Sequence, residues 1–114
     1  MNNIQTIHET GTVAAKKAVS DYLAEWTAKT GGNQYGEPMY CGFAWVDISN
    51  GRDPFVNWAR KNNVGKKHWN KGWMIWNPTS NFTQSMDVKE AGSSAFAKVL
   101  RDNGIVAYMG SRAD

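Results

Sequence analysis

The run Gly65-Lys66-Lys67-His68-Trp69-Asn70-Lys71-Gly72-Trp73 has the strongest chemical character in this chain. Its lysines supply charge to phosphates, while Trp69, Trp73 and His68 offer flat faces on which a base can stack. Each such stack contributes about 1–3 kcal/mol. Glycines at both ends give the loop freedom to close over a ligand. Arg60 and Lys61 extend the patch if the preceding helix brings its end nearby, and Arg112 could complete an anion site. The candidate ligand-binding set is therefore Arg60, Lys66, Lys67, His68, Trp69, Lys71, Trp73 and Arg112. The plainer alternative is a solvated basic hairpin whose Trp69 and Trp73 pack on the core, with Arg112 in a surface ion pair of small energetic weight.

Catalytic patterns are weaker. Cys41-Gly42-Phe43-Ala44-Trp45 superficially resembles the Cys-Gly-Ser-Cys-Trp of papain-like proteases. The nucleophile there is the second cysteine, here Ala44, and it belongs at a helix N-terminus, whereas this stretch reads as a strand. His8 and His68 lie far apart and Cys41 is the single cysteine, so neither a metal site nor a cofactor is expected. Asp47 is the best-placed acid, at the end of a strand, although an Asp there ordinarily bonds to the following turn. Phosphate-loop, dinucleotide and nucleophile-elbow patterns are missing from the sequence. These residues point to a non-enzymatic protein.

The elements that must position the loop follow from periodicity. At 114 residues the chain reads as one domain, 1–114, with enough length for a core that needs no disulfide. Pro38 to Ile48 is apolar throughout and bounded by turn formers, the mark of a strand buried on both faces and central in its sheet. Tyr40, Gly42, Ala44, Val46 and Ile48 point one way, and the small pair Gly42 and Ala44 suggests a helix close on that side. A helix is expected from about Thr12 to Lys29, behind an extended arm at 1–9, with Gly31-Gly32 stopping it. Asp53-Pro54 caps a short helix, Trp73–Trp76 is a strand, and Thr79 to Met86 a polar loop anchored by Phe82. Asp87-x-x-Glu90 has the capping-box form ahead of a third helix to about Asn103, and Ile105–Met109 is the last strand. The fold class is α/β or α+β, in the order helix-strand-helix-strand-helix-strand. The sheet has three strands, with room for a fourth near 66–70.

Charge and aromatic content favour a partner. Net charge is +3, yet residues 54–86 hold Arg60, Lys61, Lys66, Lys67 and Lys71 and no acid. A localised positive field on a near-neutral body suits an anionic ligand. Six Trp, four Phe and four Tyr exceed what packing needs, so some should face a partner. One cysteine, no basic-apolar leader and no stretch of membrane-spanning length lead to the expectation of a cytoplasmic protein with no membrane partner.

Tyr40 to Val46, Trp76-Asn77-Pro78, Asn81 to Asp87 and the tail from Ala95 to Asp114 together resemble small uncharacterised bacteriophage-encoded proteins, over roughly residues 37–114. The resemblance implies only a setting, the cytoplasm of an infected bacterium; small phage proteins often act there on host machinery or host defence, which favours a binder, here a host-defence antagonist, over an enzyme. Three functions are in view: capture of a nucleotide-like anion or masking of a host protein, accessory binding of DNA or RNA, and an oligomeric interaction module built on exposed aromatics.

Overall fold

Gly42–Ile48 forms the interior strand around which the other elements assemble. The computed structural model describes residues 3–30, 42–68, 70–76, 78 and 86–113. The elements are α1 (Ile4–Thr30), β1 (Gly42–Ile48), α2 (Pro54–Lys61), β2 (Lys66–Lys67), β3 (Trp73–Trp76), α3 (Met86–Asp102) and β4 (Ala107–Ala113). The strands form one antiparallel sheet in the order β2-β3-β1-β4. The class is α+β with three helices and four strands, so the three-stranded alternating order is corrected. β2 is the added strand: two exposed lysines carry no apolar signal, and only pairing with β3 defines them.

Cross-strand pairing sorts the side chains onto two faces, because directly opposed residues share a side. Ala44, Val46 and Ile48 of β1 join Trp73 and Ile75 of β3 and Ala107 and Met109 of β4 on the inner face. α3 lies across β1 and β4 on this side, and α1 packs along α3. Phe55, Val56 and Ala59 of α2 enter the same core, with Phe96, Ala97 and Leu100. Phe43, Trp45 and Asp47 face outward with Met74, Trp76, Tyr108, Gly110 and Arg112. Trp45 lies over Gly110 so closely that a Cβ there would sit 2.6 Å from the indole nitrogen, and Trp76 lies against it at 4.9 Å between ring centroids.

Three boundaries differ from the sequence expectation. α1 begins at Ile4, so the arm expected at 1–9 is helical from there. Ile7 is buried in the core and Gly11 meets the Phe96 ring, so the residues ahead of Thr12 belong to the face of α1 that packs on α3. β4 starts later and runs further than Ile105–Met109, because β1 offers pairing partners as far as Ala113. α3 starts at Met86, which puts Asp87 within the first turn instead of at a cap. Asp53 does cap α2, its carboxylate accepting from the Phe55 N–H at 2.8 Å. The expectations for Tyr40, Cys41, Gly31-Gly32, Asn77 and the loop around Phe82 lie outside the described residues.

Two buried polar groups give measurable consequences. Ser93 is fully buried on α3 and its hydroxyl finds no hydrogen-bond partner among the described residues. Ser93→Ala removes that desolvated oxygen and improves helix propensity, so stability should rise by about 1 kcal/mol in denaturant unfolding. His8 stands half-buried among Trp58, Phe96 and Phe55, with ring centroids 5.1, 5.7 and 6.5 Å away. Burial holds its pKa below the ordinary 6.5, with Glu9 pulling weakly the other way. The unfolded chain then binds a proton before the folded one does. Stability is therefore retained above 6.5 and falls as pH drops through that value, levelling once the folded ring itself protonates. Unfolding midpoints measured across this range should show the fall in the native protein and a flatter profile in His8→Phe.

Candidate functional site

The turn between β2 and β3 is shaped by its own side chain. The His68 N–H donates to the Gly72 carbonyl at 3.0 Å, closing the loop. Its Nδ1 accepts from the Asn70 N–H at 3.0 Å and the Lys71 N–H at 3.4 Å. In the neutral ring the proton then belongs on Nε2, which lies 3.3 Å from Asp47 Oδ1. The imidazole thus ties the turn to the end of β1. With both nitrogens engaged it has no lone pair for a general base or a metal, and with its side chain only 13% exposed it is a poor stacking surface.

Gly72 sets the other side of the turn. It has φ 87°, and a Cβ there would run into the carbonyl oxygens of Ile48 and Ser49. The turn therefore lies directly on the β1–α2 connection, and two depressions meet at this junction. A cleft of about 320 Å³ is lined by Asp47, Ser49, His68, Asn70, Lys71 and Tyr108. A shallower groove of about 510 Å³ is lined by Ser49 to Arg52, Lys71 and Gly72. Lys71 borders both.

The remaining sequence candidates do not converge here. Strand alternation turns Lys66 and Lys67 to opposite faces, opposite Met74 and Trp73 respectively. The Lys66 ammonium sits 5.0 Å from the Trp76 ring centroid, and the Arg60 guanidinium 5.1 Å from that of Trp73. Trp73 is a core residue, 8% exposed, and its indole N–H donates to the Val64 carbonyl at 2.9 Å. It offers no open face to a ligand. Arg112 lies outward on β4, opposite Phe43. Trp69 lies outside the described residues. None of Arg60, Lys66, Lys67, Lys71 and Arg112 is ion-paired with an acid among the described residues.

Reading the loop by itself missed Tyr108, Ser49, Asn70 and Arg52. Tyr108 is 58% exposed and is opposite Asp47 across the β1–β4 pair. The one available signal was Asp47, a polar residue ending an apolar strand. Among the described residues no three His, Cys, Asp or Glu side chains gather as a metal site, and no helix is long and apolar enough to cross a membrane. No family model, curated protein or solved structure matches this chain.

The turn also gives a direct test of its geometry. Gly72→Ala imposes a side chain on a left-handed backbone already in contact with β1, and should destabilise the protein by about 2 kcal/mol or more. Chemical unfolding of the variant beside the native chain reads this.

Proposed function

We propose that the protein is a non-enzymatic binder of a small nucleotide-like anion, seated at the junction of the His68 turn and the end of β1. Lys71 supports the reading, since it stands between a cleft edged by an exposed aromatic ring and a groove edged by Arg52. A base stacks on Tyr108, phosphates lie between Lys71 and Arg52, and Ser49 and Asn70 supply hydrogen bonds. Asp47 accepts from a sugar hydroxyl or a base amine, its charge partly offset by the His68 N–H beside it. The cleft volume falls at the low end of the range for small-molecule sites, suited to one nucleotide rather than a long chain. Binding without turnover is supported by His68, whose ring nitrogens are both occupied in holding the turn. In the infected cell that the phage resemblance implies, such capture would withdraw a host nucleotide signal.

Calorimetric titration with mononucleotides, cyclic dinucleotides and short single-stranded DNA, at low and moderate salt, tests this. One small nucleotide should saturate a single site, and Lys71→Ala and Tyr108→Ala should each weaken it by roughly tenfold, in line with the worth of one stacked base or phosphate contact. Lys67→Ala should leave it nearly unchanged. Binding of the oligonucleotide alone, with affinity falling steeply in salt, would make the protein a nucleic-acid binder instead. Failure of every ligand to bind would overturn the proposal and turn the search to a host protein.

A further inference from the structure

The two edges of the sheet are unlike. β2 is two residues long and both are lysines, the pattern that prevents edge-to-edge pairing. β4 is the opposite edge, seven residues long and paired to β1 in unbroken register from Ala107 to Ala113. It contains no proline, no lysine and no bulge, and Tyr108 is 58% exposed on it. Its start is already covered. The Arg101 side chain, from the end of α3, donates to the Ala107 carbonyl at 2.8 Å and lies 5.3 Å from the Tyr108 ring centroid. That leaves 108–112 as the stretch with no neighbour on its free edge among the described residues, centred on Gly110.

We propose that β4 pairs antiparallel with β4 of a second copy, about a two-fold axis at Gly110. In this register Tyr108 lies opposite Arg112 of the partner subunit, and the contact occurs twice. Met109 meets Ser111 of the partner subunit, and the two Gly110 residues meet with no side chain of their own between them, the Trp45 indole lying over the outer face of each. Tyr108, Gly110 and Arg112 share the outer face, so paired residues stay on one side and the helices of both copies lie together on the other. Arg112, which pairs with no acid among the described residues, becomes the complement of an exposed ring. Five residues of edge pairing bury little area, so the dimer is weak and concentration-dependent. It also brings Arg112 of the partner subunit to Tyr108 at the mouth of the cleft, a consequence that rests on the function proposed above, whereas the dimer does not.

Sedimentation of the full chain over a concentration series, with no nucleotide present, tests the pairing. A monomer–dimer equilibrium is expected. Tyr108→Arg sets Arg against Arg at both contacts and should weaken the dimer by roughly tenfold or more, since two ring–cation contacts are lost and two repulsions added. The swap Tyr108→Arg/Arg112→Tyr restores the same pairs and should return the dimer to within a few-fold of the native protein. Circular dichroism establishes that each variant is folded. A native chain monomeric at every concentration, a dimer indifferent to Tyr108→Arg, or a folded swap variant that stays monomeric would each overturn the proposal. None of these results bears on nucleotide capture, which is measured separately.

Discussion

The alternation of β1 is the constraint on which the rest depends. Successive side chains of a strand must point to opposite faces, and on one face Ala44, Val46 and Ile48 are sealed beneath α3. A slip of one residue would bury Asp47 and expose that whole apolar set. Register is therefore fixed wherever α3 and α2 close the core. Asp47 is held on the outer face beside Tyr108, and the β1–α2 connection emerges directly beneath the His68 turn.

Polar groups at that junction are divided between holding the backbone and facing solvent. His68 spends its ring on the Asn70 and Lys71 amides and on Asp47, so the residue that looked most like chemistry is the one that shapes the loop. Lys71, Tyr108 and Arg52 are exposed and remain available to a ligand. Lys66 and Arg60 rest on aromatic rings, a lesser use of their charge in which the long side chains cover apolar surface. The basic loop thus serves as an edge guard on one strand and as a charged rim on the turn that follows.

Helix packing supplies the rigidity behind the sheet. Gly11 and Phe96 bring α1 against α3, and burial together with the negative charge of Asp87, in the first turn of α3, raises the Tyr22 pKa. Lys89 donates to the Gly42 carbonyl at 2.9 Å and covers the Phe43 ring, tying the same end of α3 to the start of β1. The helical layer therefore holds β1 at its start and β4 at its start, through Lys89 and Arg101. Among the described residues the middle of β4 has no strand on its free edge.

Local chemistry was legible in the sequence wherever one element suffices to express it. The interior strand from Gly42 to Ile48, the Asp53-Pro54 start of α2 and the apolar stripe of α3 all follow from periodicity and capping, which act within a few residues. The close helix approach signalled by Gly42 and Ala44 was legible for the same reason. Tertiary structure decided the rest. Two adjacent lysines form a strand only because β3 lies beside them, and their alternation then parts them, so a cluster in sequence is not a cluster in space. The arm expected at 1–9 is helical from Ile4 because Ile7 enters the core and Gly11 lets the Phe96 ring lie against α1. Tyr108 and Asp47, sixty-one residues apart, become neighbours through the β1–β4 register. A site assembled across strands depends on that register, which is set by burial of the opposite face and cannot be read from the residues of the site alone.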